Sequence, residues 1–81
     1  MSISVEISLY PLTKAYGTPI LEFINCLKAY PELTIKTNTM STQIFGEYDA
    51  VMDILKKEIK KSFEKELTQI MVMKIVNEKL V

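Results

Sequence analysis

The sequence predicts an α+β sandwich of the ferredoxin-like type. Its element order is β-α-β-β-α-β, with a four-stranded antiparallel sheet in the order 4-1-3-2 and two helices on one face. Three observations lead there. Ile3, Val5, Ile7 and Leu9 alternate with Ser4, Glu6, Ser8 and Tyr10, the period of a strand with one buried face. Two later stretches place apolar residues at helical spacing. Between them lie two short apolar runs whose gap has room only for a hairpin.

The first strand is expected over residues 2–10, stopping at Pro11, which has no N–H for a ladder. Residues 12–17 read as a loop. Thr18 then suits an N-cap, with Pro19 at the first helical position and Glu22 in the first turn, where an acid favours the helix dipole. Ile20, Phe23, Ile24 and Leu27 form the buried stripe, and Tyr30-Pro31 ends the helix. Residues 33–37 are the second strand, Asn38-Thr39 the turn and residues 40–45 the third strand, closed by Gly46. The second helix is expected over residues 47–65. Tyr48, Val51, Met52, Leu55, Ile59 and Phe63 form its core face, and a lysine-rich face is left in solvent. Residues 67–76 are the last strand, and residues 77–81 are a tail draped over the surface.

At 81 residues the chain is one domain, 1–81. A chain so short buries roughly 60–65% of the surface that it exposes when unfolded. Yet 48% of its residues are apolar, which points to surface buried between subunits. Ten Lys balance eight Glu and two Asp, and there is no Arg. Zero net charge argues against nucleic acid, because such binders neutralise phosphates. Without Arg there is no bidentate fork for phosphate or carboxylate. Without His the commonest general base and metal ligand is missing. Cys26 is the only cysteine, so no internal disulfide or CxxC site exists, and it reads as a small filler between Phe23 and Leu27. A basic-plus-apolar leader is not expected before the first strand, and no apolar run has membrane-spanning length. The expectation is a soluble cytoplasmic protein with no metal, no cofactor and no membrane partner.

The face of the sheet away from the helices carries the functional signal. A central first strand sets Glu6 in mid-sheet, where a carboxylate needs a partner. In the last strand Ile70 and Val72 alternate with Met71, Met73 and Ile75, so both faces are apolar and both should be covered. A second copy packing sheet against sheet supplies that cover, and Lys74 is the expected counter-charge of Glu6. The segment Thr37-Asn38-Thr39-Met40-Ser41-Thr42 adds a polar hairpin next to the Ser8-Tyr10 end of the first strand. Two parities of the third strand compete for the open side, Ser41, Gln43 and Phe45 against Met40, Thr42 and Ile44, and the latter set is favoured toward the helices. Glu6, Ser8, Tyr10, Thr37, Asn38, Met40, Ser41 and Thr42 are the candidate ligand-binding residues. Their hydroxyls, amide and carboxylate suit the edge of an aminopyrimidine, with Tyr10, Met40 or Phe45 packed on the ring.

The strand Val5-Glu6-Ile7-Ser8-Leu9-Tyr10-Pro11-Leu12, the segment Thr37-Asn38-Thr39-Met40-Ser41-Thr42 and the stretch Phe45-Gly46-Glu47-Tyr48 resemble the YkoF-like thiamine/hydroxymethylpyrimidine-binding family. The likeness spans nearly the whole chain. It implies a ferredoxin-like fold assembled into dimers or tetramers through sheet faces. It also implies non-catalytic binding of thiamine or its pyrimidine precursor, for salvage or transport. The namesake pattern is a tandem of two such domains, so a one-domain chain would build the assembly from separate subunits. Matched position by position, Glu6 is the polar anchor, Ser8, Asn38, Ser41 and Thr42 address ring nitrogens, and Met40 packs on the ring. The competing reading is an interaction or regulatory subunit whose polar face is only a wet interface. An enzyme is disfavoured by the missing Arg and His, and an RNA-binding domain by zero net charge, with Tyr10 and Phe45 as the only possible stacking platform.

Overall fold

The computed structural model describes residues 1–14, 17–65 and 67–80. It contains β1 (Ser2–Pro11), α1 (Gly17–Lys28), β2 (Thr34–Thr37), β3 (Thr42–Glu47), α2 (Tyr48–Phe63) and β4 (Gln69–Val76). The sheet order is β2-β3-β1-β4, the expected order read from the other edge. Every neighbouring pair is antiparallel.

The alternation in β1 decides the layering. Ile3, Val5 and Ile7 are almost fully buried and Leu9 nearly so, facing Phe23 and Leu27 of α1 and Val51, Ile54 and Leu55 of α2. Ile44 comes from β3 into the same layer, directly opposite Val5. Pro11 belongs to β1 after all. Leu12 N–H donates to Thr68 C=O at 3.0 Å, so the Pro11 nitrogen turns the other way, toward a side where β3 no longer runs. Proline is tolerated there because no bond is missed.

Several boundaries differ from expectation. Gly17 already lies in α1, so Thr18 is inside the helix rather than its cap. Its first turn holds no acid, because Glu22 falls in the second and pairs with Lys65. Ala15 and Tyr16, expected in the loop, lie outside the described residues. The helix closes at Lys28. There Ala29 and Tyr30 N–H groups tighten onto Cys26 and Leu27 carbonyls, in the manner of a last 3₁₀ turn before Pro31.

The buried stripe of α2 is rotated from the one expected. Val51, Ile54, Leu55, Glu58 and Ser62 face inward, while Tyr48 and Phe63 are about half exposed at 43% and 48%. A buried acid breaks the apolar pattern that periodicity follows. Glu58 Oε2 accepts the Tyr30 hydroxyl proton at 2.7 Å, and Lys61 Nζ lies 3.8 Å from Oε1. Ser62 and Gln69 bond each other through Ser62 Oγ–Gln69 Oε1 at 3.3 Å and Gln69 Nε2–Ser62 O at 2.6 Å, which ties the end of α2 to the start of β4.

Gly46 does not close β3 but sits within it, where α2 and the segment before β2 converge. A Cβ there would lie 3.0 Å from Val51 Cγ2 and 3.2 Å from the Glu32 carbonyl oxygen. Gly46→Ala is therefore expected to destabilise the fold by about 1–3 kcal/mol through overpacking. Urea unfolding measures this, and an unchanged midpoint would show that the contact relaxes freely.

Candidate functional site

Cross-strand partners share a face, so the register places every side chain of the sheet. Ser4, Glu6, Ser8 and Tyr10 stand on the open face. Beside them are Phe45 and Gln43 of β3, and Val76, Lys74, Val72 and Ile70 of β4. Thr42 and Ile44 turn to the helices, as expected from the sequence. Glu6 is opposite Lys74 on one side and Gln43 on the other. Its carboxylate lies 3.6 Å from Lys74 Nζ and accepts the Ser41 hydroxyl proton at 3.1 Å. The ion pair predicted from the strand pattern is formed. It is open to solvent, the Glu6 side chain being 42% and the Lys74 side chain 76% exposed.

The hairpin between β2 and β3 is built by Asn38. Its Oδ1 accepts the N–H groups of Met40 at 2.7 Å and Ser41 at 3.0 Å, and its own N–H donates to Ser41 C=O at 3.1 Å. This side-chain cap satisfies in place the amides of two residues expected in β3, so the strand begins at Thr42. The Asn38 amide oxygen is thereby committed to the turn.

The expected site residues gather around two hollows rather than one. The hollow on the open face has a volume of about 320 Å³ and is lined by Glu6, Ser8, Tyr10, Met40, Ser41, Val72 and Lys74. A second, of about 490 Å³, lies at the end of the sheet toward α1. Thr37, Asn38 and Thr42 line it together with aliphatic Ile7, Leu9, Leu12, Ile20 and Ile24. Ser8, Tyr10, Met40 and Ser41 border both. Thr37 and Thr42 are opposite one another on the helix side, which keeps them from Glu6. Phe45 is only 3% exposed and lies at the far end of the open face opposite Ser4, away from Ser8 and Tyr10. It shares a third hollow with Gln43, Val76 and Leu80, and Lys36 Nζ lies 5.8 Å from its ring centre.

No protein-family model matches the sequence, and a search of curated proteins gives no significant match. Solved structures match strongly. A Streptococcus pneumoniae protein superposes with a TM-score of 0.87 at 23% identity, over 99% of this chain and 90% of its own. A Thermotoga maritima protein provisionally assigned to thiamine biosynthesis or salvage gives 0.85 at 15% identity, over 96% and 85%. A Bacillus cereus domain of unknown function gives 0.78 at 18% identity, over 99% and 79%. At these identities the likeness establishes the fold.

Three features of this fold lie outside what the sequence pattern predicts. The tail does not merely drape over the surface: Ser4 Oγ donates to Glu78 C=O at 2.6 Å and accepts Leu80 N–H at 2.8 Å, holding residues 78–80 against one end of the open face. Val81 lies outside the described residues. Ile20 and Ile24, read as plain core, also wall the larger hollow, because α1 starts beside the hairpin. Val72 joins the Glu6 hollow through the β1–β4 register, which periodicity alone does not supply.

Two outcomes follow. Lys74→Ala is expected to change unfolding free energy by less than about 1 kcal/mol, because the pair is exposed; a larger loss in chemical denaturation would show a buried pair. Asn38→Ala is expected to cost about 1 kcal/mol and to speed amide exchange at Met40 and Ser41. Asn38→Asp, which keeps an acceptor, should restore slow exchange, and equal exchange in all three proteins would refute the cap.

Proposed function

We propose that this chain is a non-catalytic binding protein of the YkoF-like family, taking thiamine or its hydroxymethylpyrimidine moiety in the cytoplasm as a sheet-to-sheet oligomer. The observation that carries this reading is the open-face hollow. There five of the eight site residues expected from the sequence meet around a paired carboxylate. Its volume is in the range of small-molecule sites. Glu6 supplies an acceptor or counter-charge, Ser8 and Ser41 supply adaptable hydroxyls, and Tyr10 and Met40 supply flat or soft contact surface. The Thermotoga maritima protein of the same fold supports a thiamine-related ligand. Binding rather than catalysis is favoured by a chain without His or Arg, in which the charged groups of the hollow neutralise each other.

Assembly is supported by β4. Ile70, Val72 and Ile75 are about half exposed, at 51%, 50% and 47%, although they sit on opposite faces of one edge strand. The helices pack chiefly over β1, β2 and β3, leaving most of that strand exposed. The single chain exposes 5435 Å², and a monomer of its mass is expected to expose about 5,000 Å². A second copy on this face would cover the hollow and desolvate the Glu6–Lys74 pair. These same surfaces would serve an interaction subunit with no small ligand.

Calorimetry and thermal shift with thiamine and hydroxymethylpyrimidine separate the two readings. Specific binding stabilises the fold by mass action. Glu6→Gln is expected to weaken ligand about tenfold or more with the assembly intact. No heat and no shift at millimolar ligand, with Glu6→Gln altering only the assembly, would leave the interaction subunit standing.

A further inference from the structure

The main chain of β1 carries a recognition edge of its own. Leu12 N–H bonds to Thr68 C=O, continuing the β1–β4 ladder, so the even-numbered residues of β1 exchange their backbone groups with β4. The odd-numbered residues turn theirs toward β3. At the other end the same parity holds, with Tyr48 N–H bonded to Met1 C=O at 2.8 Å. Ile7 is opposite Thr42, and one step further the register would set Leu9 opposite Met40. Met40 does not take that place. Its N–H is held by Asn38 Oδ1, and the residue is 82% exposed.

Leu9 N–H and C=O consequently face a notch where the ladder stops. Among the described residues neither group has a hydrogen-bond partner, although Leu9 is only 8% exposed. Buried backbone groups are nearly always paired, so a donor and an acceptor left side by side are a place for a partner. The notch lies where the two hollows adjoin, between Ser8 and Tyr10 on β1 and Met40 and Ser41 on the hairpin. Pro11, the next odd residue, has no N–H. The free edge is thus one donor–acceptor pair long, too short to hold an added peptide strand and sized for one ring.

We infer that this notch binds the edge of a planar nitrogen heterocycle, which takes the place of Met40 in the ladder. A ring nitrogen accepts from Leu9 N–H, and an adjacent exocyclic amino group donates to Leu9 C=O. The ring lies between the hollows, with its remaining substituents toward Ser41 and Glu6 on the open side and the aliphatic wall on the other. The Asn38 cap holds the Met40 amide out of the ladder and so leaves the notch free. The inference rests on the binding reading above and deepens it by naming the ligand edge and the backbone groups that read it.

The test titrates the protein with hydroxymethylpyrimidine and with its analogue in which a carbonyl oxygen replaces the amino group. That change turns the ring acceptor into a donor and reverses the edge. The amino compound is expected to bind about tenfold or more tightly than the analogue, since a site built for hydrogen bonds rejects the wrong pattern. Its binding should also slow hydrogen exchange at the Leu9 amide about tenfold relative to the Tyr10 amide, which already bonds to β4. Equal affinity for the two compounds, or an unchanged Leu9 amide in the bound state, would overturn the inference while leaving the binding reading intact. Failure of both compounds and of thiamine to bind would overturn the two together.

Discussion

The rest of the structure depends on β1 lying between two antiparallel neighbours. That position gives each of its residues two assignments at once. Side chains of odd residues enter the core and those of even residues reach the open face, while main-chain groups of even residues serve β4 and those of odd residues serve β3. A slip of one residue would bury Glu6 among the helices and expose Ile3, Val5 and Ile7. Ile3, Val5 and Ile7, each almost fully buried, therefore pin the register of the whole sheet. With it are set the position of Glu6 opposite Lys74 and the polarity of every backbone group around the notch.

Against that frame, Asn38 makes a local choice with a wider consequence. Its side chain satisfies two backbone amides within the turn, and those bonds compete with ladder bonds further along β3. The strand starts two residues later than its composition suggests. Because β1 continues to Pro11 on the β4 side, the sheet becomes uneven at this end, with β1 and β4 extending beyond β3. Both hollows that hold the expected site residues lie along that step. A perfect hairpin would have filled the step with paired backbone.

The open face is divided between two kinds of cover. At one end the tail returns to Ser4, whose hydroxyl both donates and accepts, and Phe45 is almost completely buried near it. At the other end Tyr10 and Val72, which line the Glu6 hollow, and Ile70 opposite Tyr10 stand about half exposed. The chain covers its own sheet where a hydroxyl can anchor the backbone and leaves the apolar remainder bare. This unequal cover leaves the Glu6 end of the sheet as the part of the open face that the chain does not cover itself.

By itself the sequence determined the elements, their order and the layering. Those follow from periodicities of two and 3.6, which are local and insensitive to context. It also determined the Glu6–Lys74 pair, since strand alternation and antiparallel order place both on one face. Long-range packing decided the rest. Glu58 is buried because Tyr30, far away in the chain, meets it, so the inner stripe of α2 could not be read from apolar spacing. Thr37 and Thr42 part from Glu6 because neighbours in sequence alternate between faces, and the β1–β3 register decides which face each takes. The tail is held by a single serine of β1, an attachment without any sequence pattern. The Leu9 edge, unpaired among the described residues, exists only where two strands of unequal length lie side by side, a relation between segments about thirty residues apart that no window of sequence contains.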